Sequence, residues 1–246
     1  MDIISAQGLT VGYGAEAILR DLSFGIPGGR ITVVLGVSGS GKSTLLKTLA
    51  GLLPPLAGGL DFAGSPVDYS SERSLSALYG RIGVLYQGGA LLNGLSLYEN
   101  VALPIRMHYP ELPEDMVGDM VHAGLAQVEM ADAAAKYPAE LSGGMRKRGA
   151  LARALVLDPD VVFCDEPSSG LDPITSSRLD DLLLRLKETF GMTLVVVTHE
   201  LRSIERVADQ VLVLNDGRLH FAGEARGLAE SGDEFIRTFF LRKVPT

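Results

Sequence analysis

A glycine-rich run near the amino terminus has the residue types and the spacing that hold phosphate groups. It reads Gly36-Val37-Ser38-Gly39-Ser40-Gly41-Lys42-Ser43-Thr44. Glycines let backbone N–H groups approach phosphate oxygens closely, where side chains would block them. Lys42 can place a point charge on the β- and γ-phosphates, and the Ser43 hydroxyl can ligate Mg²⁺. The run therefore predicts a site for a nucleoside triphosphate.

Four polar side chains stand at the ends of short apolar runs: Gln87, Asp165, Glu166 and His199. A strand that ends in a carboxylate delivers it to the carboxyl edge of its sheet, where the ligands of α/β proteins bind. We therefore expect Asp165 to hold Mg²⁺ through water. The Gln87 amide can accept from water and donate to phosphate, which suits a group that responds to bound nucleotide.

A second candidate anion site lies between the phosphate loop and the two carboxylates, in Leu141-Ser142-Gly143-Gly144-Met145. Ser142, Gly143 and Gly144 offer backbone N–H groups at the start of a predicted helix at residues 145–157. The N-terminus of a helix attracts anions, so this segment predicts a phosphate contact of its own.

These groups require a sheet and helices to position them. The phosphate loop has an apolar strand before it, at residues 30–35, and a helix after it, at residues 42–49, as such a loop requires. The other predicted elements are strands at residues 3–13, 19–26 and 82–86, a helical region at 96–135, a helix at 145–157, a strand at 161–165, a helix at 175–190, a strand at 194–198, a helix at 201–208 and a hairpin of 211–214 with 218–222. This alternation predicts an α/β fold with a largely parallel core sheet.

Composition restricts the class of protein. Of the 246 residues 46% are hydrophobic, which allows a sizeable core, and the net charge of −8 argues against a nucleic-acid binder. The single cysteine, Cys164, cannot form an internal disulfide, which favours a reducing, cytoplasmic location. No signal peptide is expected, and no run reaches the about 18 apolar residues of a membrane span. Any membrane part is therefore expected from a partner.

The Leu-Ser-Gly-Gly segment between a phosphate loop and paired carboxylates resembles the ATP-binding-cassette (ABC) ATPases, and the resemblance covers most of the chain. It implies one ABC ATPase domain over residues 1–246. Its P-loop NTPase (RecA-like) core would comprise residues 1–90 and 159–246, with an antiparallel β subdomain at the N-terminus. A helical signature subdomain would occupy residues 91–158.

The same resemblance implies roles for the polar residues, with ATP and Mg²⁺ as ligands. Glu166 would be the general base for the attacking water, and Gln87 would touch Mg²⁺ and that water. His199 would contact the γ-phosphate. Tyr13, which stands before Gly14, would stack on the adenine.

A homodimer is also implied, because the signature segment of one copy completes the nucleotide site of the other. ATP would lie between Lys42 of one copy and Ser142, Gly143 and Gly144 of its partner. Asp172 would lie in a segment that crosses this interface. Two positions depart from the family pattern: Met145 replaces a glutamine and Gly170 replaces an alanine. We expect hydrolysis to survive both changes.

Several short sequence segments indicate which subfamily of ABC ATPases the chain resembles. Gly-Ala-Leu-Leu after Gln87, and the segments at residues 99–104, 142–148 and 170–175, resemble the ATPase of the MCE-type (Mla) phospholipid transporters. That resemblance implies phospholipid movement between bacterial membranes, with an integral-membrane permease and an MCE-domain lipid-binding protein. Some relatives add a small regulatory subunit. The chain would then be a peripheral protein on the cytoplasmic face of the inner membrane.

Other functions stay open from the sequence. The chain could serve another ABC importer or exporter, of amino acids or of lipoproteins, or regulate cell-wall hydrolases without moving a solute. A soluble ABC ATPase of DNA repair or translation is disfavoured because no coiled-coil insertion or second cassette is present.

Two apolar segments could form interfaces. Leu91, Leu92 and Leu95 could line the floor of a groove for a helix of the permease, or could pack within the helical subdomain. Residues 233–241 place Phe235, Ile236, Phe239 and Phe240 on one helical face, which would dock on its own domain. The alternatives for this tail are the second copy or the regulatory subunit.

Overall fold

The computed structural model describes residues 1–228, apart from the side chains of Leu201 and Arg202. The predicted tail helix at residues 233–241 lies outside this range. The strands are β1 (Asp2–Tyr13), β2 (Glu16–Pro27), β3 (Ile31–Gly36), β4 (Ala57–Phe62), β5 (Ser65–Pro66), β6 (Ile82–Leu85), β7 (Val161–Asp165), β8 (Thr193–Val197), β9 (Gln210–Asn215) and β10 (Arg218–Glu224). The helices are α1 (Lys42–Leu49), α2 (Glu72–Tyr79), α3 (Leu97–His108), α4 (Glu114–Gln127), α5 (Gly143–Leu155), α6 (Pro173–Phe190) and α7 (Leu201–Val207).

The larger sheet has six strands in the order β10-β9-β3-β8-β7-β6. Five of them are parallel, and only the edge strand β10 is antiparallel to its neighbour. The predicted parallel core sheet is therefore confirmed. Because β3, β6, β7 and β8 run in the same direction, the residues that follow them meet at one edge of the sheet. Those residues include the phosphate loop and the four polar side chains singled out above.

Strand β3 lies between two apolar layers, and all six of its residues are buried. Val33 and Leu35 pack in the cluster that contains α3 to α6, while Val34 packs in the cluster that contains α1 and the smaller sheet. Alternate residues of a strand point to opposite faces, so a strand covered on both sides must be apolar throughout. This packing fixes the point at which the phosphate loop leaves the sheet.

The smaller sheet is antiparallel, with the strand order β2-β1-β4-β5. It gives the fold its N-terminal β layer, which was predicted, although its strands β4 and β5 and the neighbouring helix α2 were not. No element was assigned to residues 50–81, because β4 begins with Ala57-Gly58-Gly59, which lacks β-branched side chains. Pairing with β1 over a long sequence separation forms this strand.

Helices α3, α4 and α5 follow β6 and precede β7, where the sequence predicted helices. Helix α5 begins at Gly143 rather than at residue 145, because the Ser142 hydroxyl accepts from the Met145 N–H (3.3 Å) and caps the helix. Helix α6 begins at Pro173 rather than at residue 175 for the same reason, with Asp172 as the cap. Among residues 1–228, no helix combines the length and apolar composition needed to cross a bilayer.

Candidate nucleotide site

The phosphate loop connects β3 to α1 and is shaped by its glycines. Gly41 has φ +92°, a backbone conformation that side chains disfavour, and immediately precedes α1. A Cβ on Gly36 would lie 2.4 Å from the Leu214 carbonyl of neighbouring strand β9. Both glycines therefore allow the chain to turn tightly between a buried strand and a helix. Within the loop Ser38 and Gly39 are exposed, while Ser40 and Thr44 are buried.

Lys42, the first residue of α1, reaches back across the loop. Its Nζ donates to the carbonyls of Val37 (2.9 Å) and Gly36 (3.1 Å). The ammonium therefore lies beside the backbone N–H groups of the loop and the start of α1. A cationic side chain and a helix N-terminus facing the same space form an anion-binding arrangement.

Ser43 and Asp165 bring two oxygens together at the end of β7. Ser43 Oγ lies 3.4 Å from Asp165 Oδ1. Burial raises the pKa of the Asp165 carboxyl, and the hydrogen bond from Ser43 opposes that rise. A partly buried carboxylate next to a hydroxyl is a donor set of hard oxygens, which Mg²⁺ prefers. The pair fits the metal role expected from the sequence.

Glu166, which follows β7, and His199, which follows β8, are in direct contact. His199 Nδ1 lies 2.7 Å from Glu166 Oε1. The Glu166 side chain is only 12% exposed, and its Oε2 is buried with no hydrogen-bond partner among the described residues. A buried acceptor of this kind is suited to a water molecule as a partner. The sequence predicted both residues for the site, and the structure places them together.

The backbone of Glu166 has φ +48°, an unusual value for a residue with a side chain. Its N–H donates to the Val197 carbonyl (2.9 Å), and its carbonyl accepts from Ser169 Oγ (2.8 Å). Contacts on both sides of the residue therefore fix the direction of the carboxylate.

Gln87 lies just beyond β6, and its side chain is exposed at the same sheet edge. The backbone carbonyl of Gln87 accepts a hydrogen bond from Lys147, a residue that was not predicted from the sequence. Lys147 lies on α5 and is almost fully buried, at 5% exposure. Burial lowers the pKa of its ammonium, and Glu166 and Asp165 oppose that shift. A signal was available, since Lys147 precedes Ala150, Leu151 and Ala154 at helical spacing on an apolar face.

The signature segment forms the start of α5. Ser142 is exposed, and Gly143 and Gly144 are partly buried. A Cβ on Gly144 would lie 2.5 Å from Thr175 Cγ2, so the glycine lets α5 pack closely against α6. This turn begins α5, whereas the phosphate loop precedes α1, so the two candidate anion sites lie on different elements.

Asp172 and Gly170 lie in the segment between β7 and α6. The Thr175 hydroxyl donates to Asp172 Oδ2 (2.5 Å), and the N–H groups of Ile174 and Thr175 donate to Oδ1, both at 3.0 Å. The hydroxyl bond first, and then the backbone bonds, lower the pKa of the Asp172 carboxyl. Gly170 has φ +76°, so glycine suits this position better than the alanine typical of the family. The substitution noted from the sequence is therefore matched by the local backbone.

Tyr13 ends β1 with its ring 47% exposed. Lys47 of α1 donates to its hydroxyl (3.3 Å), and the ammonium lies 5.8 Å from the ring centre. The ring therefore lies beside the helix that follows the phosphate loop, where a base attached to bound phosphates could stack on it.

An apolar groove of about 400 Å³ lies beside the Gln87 loop. Its walls include Tyr79, Tyr86, Leu103, Pro104 and Met107. These residues, rather than the three leucines suggested by the sequence, line the groove.

The three leucines lie nearer the start of α3. The buried Asn100 side chain bonds to the backbone of Leu92 and Leu95 and fixes that segment there. Leu91 packs against the helical core instead. The groove is lined by the later turns of α3 together with residues of α2, β6 and α5.

Comparison with known proteins decides the family. A family model described as "ABC transporter" matches residues 19–169, more than half of the chain. The chain belongs to the ABC transporter family. It is 39% identical to the probable ribonucleotide transport ATP-binding protein mkl of Mycobacterium tuberculosis (strain ATCC 25618 / H37Rv). The alignment of 236 residues covers 96% of the chain. The chain spans 66% of the length of that relative.

Two further relatives of this ABC family member are named as ATP-binding proteins of intermembrane phospholipid transport systems. The protein from Haemophilus influenzae is 39% identical, and the alignment covers 94% of the chain and 88% of the relative. The protein from Escherichia coli (strain K12) is 35% identical, with 97% and 88% covered.

Solved structures of ABC proteins have the same fold. The cbiO1 protein of Clostridium perfringens, part of an ABC transporter complex, superposes with a TM-score of 0.85 at 28% identity and covers 99% of both chains. The cassette MJ0796, solved as a dimer bound to ADP and Pi, gives 0.81 at 28% identity and covers 91% of this chain and 99% of its own. The predicted ABC ATPase fold is thus confirmed.

Proposed function

We propose that this chain is the ATP-hydrolysing subunit of a membrane ABC transporter that moves phospholipid between bacterial membranes. The observation that carries the ATPase part is the convergence of the phosphate loop, Asp165, Glu166, His199 and Gln87 on one sheet edge. The observation that carries the cargo is the similarity to two phospholipid-transport ATP-binding proteins, of whose length the chain spans 88%.

In the proposed reaction, water attacks the γ-phosphate of ATP to give ADP and phosphate. Glu166 orients that water and accepts its proton. His199 holds the carboxylate through the 2.7 Å contact at Nδ1, and the other side of its ring contacts the γ-phosphate. Lys42 leaves the loop carbonyls to neutralise the β- and γ-phosphates. Ser43, Asp165 and Gln87 would hold Mg²⁺, which supplies positive charge against the transferring phosphoryl group when bound.

The active form in this proposal is a homodimer. Each chain has one phosphate loop and one signature segment, on separate elements, so two copies form two complete sites. Residues 91–158 act as the helical signature subdomain on a nucleotide-binding core of residues 1–90 and 159–246. The dimer seen for MJ0796 supports this assembly.

The membrane partner is an integral-membrane permease, and we assign the apolar groove to a short helix of it. Support comes from the position of the groove, since Tyr86 in its wall directly precedes Gln87. Arg153, also in the wall, donates to the carbonyls of Gly89 (3.0 Å) and Ala90 (2.8 Å). A helix in the groove would therefore contact the loop that senses nucleotide. The chain would lie at the cytoplasmic face of the inner membrane as a peripheral subunit.

Phospholipid cargo brings two further partners into the proposal, an MCE-domain lipid-binding protein and a small regulatory subunit. Ribonucleotide is a second candidate cargo, because the mycobacterial relative is equally similar at 39% identity. The larger share of length spanned in the phospholipid-transport relatives, 88% against 66%, favours lipid.

A pull-down tests the partners and the cargo together. Tagged chain is recovered from native membranes in mild detergent, and proteins and lipids are identified by mass spectrometry. We expect a permease, an MCE-domain protein and bound phospholipid. Recovery of a permease with no MCE-domain protein and no lipid would contradict the phospholipid cargo and leave the ATPase chemistry in place.

A further inference from the structure

The ammonium group of Lys147 occupies a buried position with three hydrogen-bond acceptors. Its Nζ donates to the carbonyl of Gln87, to the carbonyl of Glu166 (3.1 Å) and to Ser169 Oγ (3.3 Å). A lysine ammonium has three N–H donors, so this set matches its full capacity. A buried charge is costly unless it is fully hydrogen-bonded, which makes the arrangement specific for a cationic side chain of this length.

The three acceptors belong to two separate loops of the nucleotide site. Gln87 follows β6, while Glu166 and Ser169 both lie in the segment between β7 and α6. Lys147 itself lies on α5, one turn after the signature glycines. A single side chain therefore connects the signature helix with the loops that surround the proposed catalytic carboxylate.

The bond to Glu166 matters most because that residue has an unfavourable backbone angle. A residue with φ +48° keeps this conformation only when its surroundings fix it. The Glu166 carbonyl accepts from both Lys147 and Ser169, and the Ser169 hydroxyl in turn accepts from Lys147. Removal of Lys147 would withdraw one direct contact to this backbone and one bond to the Ser169 hydroxyl that contacts it.

We propose that Lys147 is a positioning residue for ATP hydrolysis, which sets the direction of the Glu166 carboxylate and couples it to the position of the signature helix. The inference rests on the proposed ATPase function. Lys147 donates to backbone oxygens and a hydroxyl rather than to nucleotide, so its loss acts on turnover more than on ATP binding. In the proposed dimer, Ser142 at the start of α5 contacts the partner copy's ATP. Binding of ATP there would therefore move Glu166 of the same chain through Lys147 and so affect the other site.

The test measures steady-state hydrolysis against ATP concentration for the chain purified with its membrane partner. Five variants are compared with wild type: Lys147→Met, Lys147→Arg, Ser169→Ala, Glu166→Gln as the reference without the proposed base and, as a matched control at an exposed position, Lys136→Met. We expect Lys147→Met to lower kcat about tenfold or more, with KM changed less than about threefold. Arginine restores most of the activity, Ser169→Ala gives a smaller loss in kcat, and the control matches wild type.

Several results would overturn the inference. One is wild-type kcat in Lys147→Met. Another is a loss that arginine does not restore and that appears equally in KM. If Lys147→Met fails to fold, Ser169→Ala and Lys147→Arg decide, and wild-type kcat in the serine variant contradicts the role. Wild type that hydrolyses no more ATP than Glu166→Gln would instead contradict the proposed ATPase function itself.

Discussion

Glu166 combines three properties that the proposed chemistry needs. Its carboxylate is largely buried, one oxygen contacts His199, and its backbone is fixed on both sides. A base held in this way loses little entropy when water is bound, and its direction is set before the substrate arrives. The sequence located this residue because an apolar strand ends at Asp165. It gave no sign of the unusual backbone angle.

Replacement of Glu166 by glutamine keeps the shape of the side chain and removes the base. We expect Glu166→Gln to bind ATP and to accumulate as a closed dimer, with hydrolysis slowed about 10²- to 10⁴-fold. Phosphate release and size-exclusion chromatography with ATP measure the two effects. Glu188→Gln, at an exposed position on α6, serves as the control and should match wild type. Wild-type turnover in Glu166→Gln would remove Glu166 from its assigned role.

Asp180 provides a test of pH dependence away from the site. It is buried in α6, Ser203 Oγ donates to its Oδ2 (2.9 Å), and burial raises the pKa of its carboxyl. The folded state therefore binds this proton more tightly than the unfolded state. Its contribution to the free energy of unfolding falls as pH rises from the ordinary value of 3.8 through the raised one, and is constant above.

In the variant Asp180→Asn the side chain at this position cannot ionise, so the variant avoids this loss of free energy of unfolding. We expect the Tm of the variant to rise relative to wild type as pH increases through that interval, and the difference to stay level at higher pH. Thermal melts between pH 4 and pH 8 measure it. Asp119→Asn, at an exposed position on α4, is the control and should melt as wild type does at each pH. A difference that does not change with pH would contradict the assignment to burial of Asp180.

The contact between helices α5 and α6 depends on the absence of a side chain at Gly144. A Cβ there would lie 2.5 Å from the Thr175 methyl group, so Gly144→Ala should push the helices apart. We expect it to lower the free energy of unfolding by about 1–3 kcal/mol and to weaken ATP-dependent dimerisation. Chemical denaturation and size-exclusion chromatography measure these changes.

The double variant Gly144→Ala, Thr175→Ser is the control for this explanation. Serine lacks the methyl group but keeps the hydroxyl that donates to Asp172 (2.5 Å). We expect the double variant to recover much of the lost stability. No recovery would mean that the glycine is needed for a reason other than the space beside Thr175.

Much of the element order could be predicted from the sequence because local signals agreed. The bounds of α1 and β7 match the predicted ranges, since glycines precede the helix and polar residues follow the strand. Strand β4 was missed because its residues have little strand propensity and its stability comes from distant β1. The helical spacing of Lys147 with apolar residues marked it as facing the core, but its partners could not be predicted, because only the folded chain brings the loops after β6 and β7 to the end of its side chain.

In the assembled molecule, function depends on surfaces that one chain leaves open. Met107 is 73% exposed in the wall of the apolar groove. We expect Met107→Glu to prevent co-purification of the permease while ATP binding by the chain is unchanged, because a charge is costly in an apolar interface. Pull-down and nucleotide titration measure the two properties.

Met116→Glu is the matched control for the groove. Met116 is also exposed, at 51%, but lies on α4 outside the groove walls. We expect this variant to recover the permease as wild type does. Equal loss of the permease in both variants would contradict the assignment of the groove to the membrane partner.

Transport itself gives the most direct test of the proposed function. The chain is purified with its membrane partners, reconstituted into vesicles that contain a fluorescent phospholipid, and supplied with ATP and Mg²⁺. We expect wild type to move the phospholipid only when ATP is present, and the Glu166→Gln complex to bind ATP without moving it. Equal lipid movement by wild type and Glu166→Gln, or ATP hydrolysis by wild type with no lipid movement, would contradict an ATP-driven phospholipid transporter.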